Sequence, residues 1–193
     1  MRTYQSLLAF KQMIQQGDYL VLDTETTGIH QAEIVQIAVV DSADNVLLDT
    51  LVKPVSRIPY DATRIHGITD SMVAEAPGWG EITEQVEALL RGRNLVVYNA
   101  VFDRRMMYQS AEFARLPKVE WKTCSRWWCA MEAFAEAYAM SRFTYASRGR
   151  GRARWHKLAM AARHYGIPVK DTHSALGDAR LTLALVRAMA AAT

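Results

Sequence analysis

The chain has 193 residues, 50% hydrophobic and 22% charged with a formal net charge of +3, which fits one folded domain with its own core and excludes a disordered or fibrous chain. Cys124 and Cys129, spaced C-x4-C with no second pair, exclude a disulfide framework and a zinc ribbon and predict a reducing, cytoplasmic compartment. No apolar run reaches the ~18 residues that a membrane helix needs, and the N-terminus lacks the small-residue cleavage site of a secretory signal.

Ser6 to Gln16 reads as a short amphipathic helix stopped by Gly17, so that residues 1–17 form an N-terminal helix on a single domain spanning 1–193. Tyr19 to Asp23 is a continuous apolar run ending in an acid, the pattern of a buried central strand. Ile34 to Asp41 and Val46 to Val52, separated by Asp44-Asn45, predict a hairpin. Pro54 and Pro59 interrupt regular structure. Ala62 to Ile65 predicts a helical turn, with Thr69 or Asp70 capping another. Trp79 to Leu90 has helical spacing, Leu95 to Tyr98 reads as a strand, and Phe102 to Phe113 as a helix burying Met106, Met107 and Phe113. Val119 to Thr123 predicts the last strand and Ser125 to Met140 a helix carrying Trp127 and Trp128. Trp155 to Tyr165 and Ser174 to Ala192 predict the final two helices.

Between Arg142 and Lys157 stand six basic residues and no acidic one, whereas the remainder of the chain leans acidic. This segment, about 141–157, interleaves Arg148, Arg150, Arg152 and Arg154 with Phe143, Tyr145 and Trp155, and Trp127 and Trp128 precede it. A basic groove with stacking aromatics suits a single-stranded polyanion. A solvated connection is the plainer alternative.

Asp23 and Glu25 stand two apart where the first strand ends, so both carboxylates project from one face. Paired anions of this kind suit a hard divalent cation, Mg²⁺ or Mn²⁺, and Gly28 would let the backbone approach a ligand closely. Asp103 opens a helix in Asn99-Ala100-Val101-Phe102-Asp103, where helix capping is the ordinary explanation. His173 and Asp178 lie in His173-Ser174-Ala175-Leu176-Gly177-Asp178 at the start of the last helix, with Thr172 or Ser174 as cap.

Taken in order, D-T-E-T-T-G, N-A-x-F-D and H-x-A-x-x-D resemble the three motifs of the DEDDh 3′–5′ exonucleases, the DnaQ-like family that includes the proofreading subunit of the bacterial replicative polymerase. Ile65-His66-Gly67-Ile68-Thr69 matches a fourth recurring segment of that family. The resemblance runs from about Asp18 to Met189. It implies an α/β, ribonuclease H-like fold with a mixed five-stranded sheet flanked by helices. It further implies that Asp23, Glu25, Asp103 and Asp178 hold two divalent metal ions, Mg²⁺ or Mn²⁺, and that His173 is the general base on the attacking water. A histidine, with an ordinary pKa near ~6.5, can take up that proton at neutral pH, and two metals can stabilise both the attacking and the leaving oxygen. Thr24 and Thr26 would meet the terminal nucleotide through their turn, Ile65 and His66 would line its pocket, and Asn99 and Phe102 would support it beside Asp103. The family commonly has histidine at Tyr98 and aspartate at Lys122, neither a metal position.

The expected activity is stepwise release of 5′-nucleoside monophosphates from a nucleic acid with a free 3′ end, DNA and single-stranded ends being favoured. The alternatives are trimming of RNA 3′ ends, hydrolysis of small nucleotides, and a catalytically silent nucleic-acid-binding or polymerase-accessory module. The last has no use for five costly catalytic groups. Gln5 to Phe10 has the form Q-x-x-L-x-F, which resembles peptides that bind the bacterial sliding clamp; the alternative is that Leu7, Leu8 and Phe10 pack on the domain.

Overall fold

Leu20, Val21 and Leu22 are fully buried, because this strand is covered on both faces. The computed structural model describes residues 2–117, 119–141, 155–170 and 173–192. Its elements are α1 (Arg2–Gln16), β1 (Leu20–Thr26), β2 (Ile34–Asp41), β3 (Val46–Leu51), α2 (Tyr60–His66), α3 (Trp79–Leu90), β4 (Asn94–Val97), α4 (Ala100–Phe113), α5 (Trp121–Cys124), β5 (Arg126–Cys129), α6 (Ala130–Ser141), α7 (Leu158–His164) and α8 (Ala175–Ala191). The strands lie in the order β3-β2-β1-β4-β5. β1 pairs antiparallel with β2 and parallel with β4, and β4 pairs parallel with β5. This is the mixed five-stranded sheet expected from the sequence.

Period-two alternation divides the strand residues between two cores. Leu20, Leu22, Ile37, Val39, Leu95 and Val97 face α3, α4 and α5. Val21, Val40 and Val96 face α1, α6, α7 and α8. A smaller cluster of Val35, Ile58, Ala62, Ile68 and Val73 supports α2. Glu33, itself buried, accepts backbone N–H bonds from Val55 and Ser56 at 2.7 and 2.8 Å and so fixes the approach to that helix. Gly67, at φ +75°, closes α2 in the left-handed region.

Three predicted elements and one predicted burial are corrected. Val119 to Thr123 alternates like a strand, but fully buried Trp121 packs edge-on against Trp79 at 6.2 Å, and the chain forms the helical turn α5. The fifth strand is Arg126–Cys129, inside the segment predicted as helix. Successive tryptophans there go to opposite faces: the Trp127 indole N–H donates to the Trp121 carbonyl at 2.7 Å, and that of Trp128 to Asn94 Oδ1 at 3.2 Å. A four-residue strand running straight into an alanine-rich helix is too short to show its period. α7 begins at Leu158, leaving Trp155 exposed, and Phe113 lies partly in solvent. The arginines at 148, 150, 152 and 154 lie outside the described residues.

Leu7 and Phe10 belong to the second core, Phe10 edge-on to Trp128 at 6.1 Å. Of the Q-x-x-L-x-F pattern, Phe10 is committed to the core, whereas Leu8 is 39% exposed. Phe10→Ala should cost about 3 kcal/mol, the low end for truncating a buried phenylalanine, which for a chain of this length lowers the melting temperature by roughly 6–12 °C. Thermal unfolding followed by circular dichroism measures this, and an unchanged midpoint would detach α1 from the core.

Candidate active site

Asp23 and Glu25 share the α8 face of β1, where their partners in β2 are Ala38 and Gln36. Asp178 meets them from the first turn of α8, and one oxygen from each of the three carboxylates lies within 4.8 Å of the others. Thr24, between the two acids, points to the opposite face. Its buried hydroxyl donates to Asp103 Oδ1 at 2.8 Å, holding the carboxylate that opens α4. One strand thus draws acids from both faces to its end. Asp103 also accepts a backbone N–H bond from Thr24.

The start of α8 is built with equal definition. Ser174 is the N-cap, and its Oγ accepts from the Gly177 N–H at 3.1 Å. His173, one residue earlier, has φ +73°, a left-handed conformation that histidine tolerates better than most side chains. This turn leaves the His173 side chain exposed and brings its backbone N–H to the Asp178 carboxylate.

All four carboxyl groups are driven towards the protonated form. Burial is the main cause for Asp23, followed by the charges of Asp103, Asp178 and Glu25. Burial and the charges of Asp178 and Asp103 push Glu25 up to about 7. Burial also raises Asp103 to about 7, against the opposing hydrogen bonds from Thr24. Asp178 is raised by burial, with His173 pulling it down. Its Oδ1 is buried and has no hydrogen-bond partner. An all-oxygen donor set with an orphaned carboxylate oxygen fits hard divalent cations.

Some of the other predicted site residues have side chains committed to partners within the protein. The Thr26 hydroxyl is committed to the Gly28 carbonyl at 2.6 Å. Gly28 has no positive φ, and a Cβ there would meet only Ala32 Cβ at 3.8 Å, so its surroundings within the protein do not require glycine. Ile65 is 57% exposed at the end of α2. His66 Nδ1 accepts the Ile68 N–H at 3.0 Å, while Nε2 is buried without a partner of good geometry, close to the Thr26 backbone and His173. Burial lowers its pKa. Asn99 is the N-cap of α4 but makes no side-chain cap bond. Phe102 is half-buried against the first core. Sequence reasoning missed Arg105, which lies over the Phe102 ring at 5.6 Å and donates to the Ile29 carbonyl at 2.8 Å. It also missed the exposed apolar side chains of Ile29, after β1, and Val101, in the first turn of α4. No periodicity marks these positions.

The exonuclease family model (RNase_T) matches residues 20–186. The chain belongs to the exonuclease family. It is 42% identical over 182 residues to a protein named uncharacterized exonuclease CP81 of Escherichia phage 186, covering 91% of this chain and 89% of that protein. It is 28% identical over 178 residues to the DNA polymerase III subunit epsilon of Treponema pallidum, covering 90% of this chain and 76% of that protein. Among solved structures, exonuclease X in complex with 5′ overhanging duplex DNA superposes with a TM-score of 0.62 at 27% identity, over 89% of this chain and 90% of that one. E. coli exonuclease I in complex with a dT13 oligonucleotide shares the fold, with a TM-score of 0.68 at 20% identity over 88% of this chain and 40% of that one. These are DnaQ-like nucleases of ribonuclease H-like fold, a family that implies divalent metal ions. Among the described residues no helix is long and apolar enough to cross a membrane.

Two outcomes test the site. Carboxyl groups that titrate near 7 when folded and near ~4 when unfolded hold extra protons only in the folded state, so metal-free stability is lost as pH rises through that interval. In EDTA the melting temperature should fall between pH 5 and pH 8, Mn²⁺ should raise it more at pH 8 than at pH 5, and Asp23→Asn should flatten both trends; a pH-independent midpoint would contradict the crowding. Thr24→Val removes a hydrogen bond to a buried charge, which is worth about ten-fold. Nuclease turnover should fall by that factor or more, while Thr24→Ser stays near wild type.

Proposed function

We propose that this nuclease is a DEDDh-type 3′–5′ exonuclease that releases 5′-nucleoside monophosphates from the 3′ end of DNA, preferentially single-stranded. The observation that carries the reading is the convergence of Asp23, Glu25, Asp103 and Asp178 on one strand end, with His173 exposed one turn before Asp178. Similarity to polymerase III epsilon and to an exonuclease seen with DNA supports DNA as the polymer. Fold likeness alone would not fix the chemistry; the acids and the histidine supply it.

In this reading the four carboxylates hold two Mg²⁺ or Mn²⁺ ions. Bound there, the ions would supply positive charge to the attacking and leaving oxygens of an in-line displacement and ease deprotonation of water. His173 takes the proton from the attacking water. Asp178, which accepts the His173 backbone N–H, keeps that base in register with the acids. Ile65, His66, Asn99 and Phe102 surround the terminal nucleotide, the backbone of Thr24 and Thr26 at the end of β1 contacts it, and Arg148, Arg150, Arg152 and Arg154 guide the strand. A silent binding module is disfavoured, since four crowded carboxylates burden the fold and serve nothing without ions.

The test is a time course with 5′-labelled single-stranded DNA and matched RNA in Mg²⁺, Mn²⁺ and EDTA. The expected result is a metal-dependent ladder shortening from the 3′ end, faster on DNA. Asp23→Ala should abolish it, and His173→Ala should lower the rate by about 10²–10⁴-fold, the usual range for losing a positioned base. Faster loss of RNA would move the activity to RNA trimming, and degradation of neither polymer would overturn the reading. Neutralising the four arginines should weaken DNA binding and flatten its salt dependence; an unchanged salt slope would reduce the segment to a connection.

A further inference from the structure

Gln36 is a polar residue in the most buried part of the sheet, on β2 directly across from Glu25. Cross-strand partners share a face, so its side chain lies on the α8 side with Asp23 and Glu25. It is half-buried and makes two hydrogen bonds. Its Nε2 donates to Asp49 Oδ1 on β3 at 3.0 Å, and its Oε1 accepts the backbone N–H of Ala175 at 3.1 Å, across 139 residues of sequence. A carboxylate such as Asp49 only accepts. The amide is therefore oriented with its NH₂ towards β3 and its oxygen towards α8.

The first N–H groups of a helix have no partner within the helix. In α8 the Ser174 side chain satisfies Gly177, whereas Ala175 is satisfied from the sheet. Ala175 lies between His173 and Asp178, in a turn whose entry residue has a positive φ. The turn is thus held from one side by its own cap and from the other by Gln36. Packing alone does not ask for this residue, because a β-branched apolar side chain suits a half-buried strand position better. A glutamate would supply the same acceptor but would add a carboxylate beside Glu25 and oppose Asp49. Glutamine supplies it without charge.

We propose that Gln36 is a positioning residue for the exonuclease reaction: its side-chain carbonyl pins the first amide of α8 and so sets the His173–Asp178 turn against the acids of β1. This rests on the reading of His173 as the general base. Gln36 touches neither the phosphate nor the attacking water; it acts through the turn.

The test compares wild type with Gln36→Met, which keeps the size of the side chain and loses both hydrogen bonds, and with Gln36→Glu/Asp49→Asn, which retains the acceptor for Ala175 and exchanges donor and acceptor between the strands. Amide hydrogen exchange over residues 174–178 is measured without metal, and kcat and KM on single-stranded DNA with Mg²⁺. In Gln36→Met, exchange in that turn should accelerate while the rest of the chain keeps its protection, and kcat should fall about 10- to 100-fold, as expected for a displaced catalytic group, with KM held within about two-fold. The double variant should recover the exchange protection of that turn. Unchanged exchange in Gln36→Met, a kcat within about two-fold of wild type, or fast exchange that the double variant leaves unrepaired would each overturn the proposal. If wild type degrades DNA and His173→Ala does not, while Gln36→Met is unimpaired, only the role of Gln36 fails. If wild type degrades no nucleic acid, the exonuclease reading fails, and the positioning role falls with it whatever the exchange shows.

Discussion

Mutual repulsion among four carboxylates organises this molecule. Asp23, Glu25, Asp103 and Asp178 are partly or fully buried, and each is raised above its ordinary pKa by burial, reinforced by its neighbours at Asp23 and Glu25. No folding advantage comes from gathering them. The topology nevertheless enforces the gathering: β4 runs parallel to β1, so α4 starts at the same sheet edge where β1 ends, and α8 enters over the other face. Asp103 and Asp178 occupy the first turns of their helices, where the helix dipole offers partial positive charge. That offset is small beside the desolvation of four anions, so without cations the cluster is relieved by taking up protons.

The surroundings hold this unfavourable cluster in shape. Thr24 ties Asp103 to the strand, Ser174 caps the helix that carries Asp178, and Glu33 clamps the loop that leads to Ile65 and His66. Arg105 joins the segment after β1 to Phe102. The Thr24–Asp103, Glu33–Val55 and Arg105–Ile29 bonds join segments far apart in sequence, whereas the Ser174 cap is local. Ile29 follows β1, Ile65 lies in the last turn of α2 and Val101 in the first turn of α4, and all three are exposed.

Much of this was legible in the sequence, for identifiable reasons. The continuous apolar run before Asp23 marked the central strand, and the two-residue spacing of Asp23 and Glu25 placed both on one face. Ordered motifs, rather than any single one, pointed to the five groups proposed as catalytic. The misread region, Val119 to Cys129, failed because its elements are four residues long and are decided by long-range burial of Trp121, Trp127 and Trp128. Thr24 was read as touching substrate through the turn, but its hydroxyl serves Asp103 from the other face. Gln36 and Arg105 carried no local signal, because their partners stand 139 and 76 residues away.

Tyr98, where the family commonly has histidine, shows how a departure from a motif can serve the same site. Its hydroxyl donates to the His156 carbonyl at 2.6 Å, and the His156 ring packs edge-on against Phe134 and Tyr138 at 5.5 and 4.9 Å. The end of the arginine-rich segment is therefore fastened to β4, one residue before Asn99 and five before Asp103. Its other end leaves α6, which packs on the same core. A pocket lined by carboxylates repels the phosphate chain it is to cut. On the proposed reading, divalent ions relieve that repulsion at the reacting phosphate, and further along the strand the relief must come from side chains.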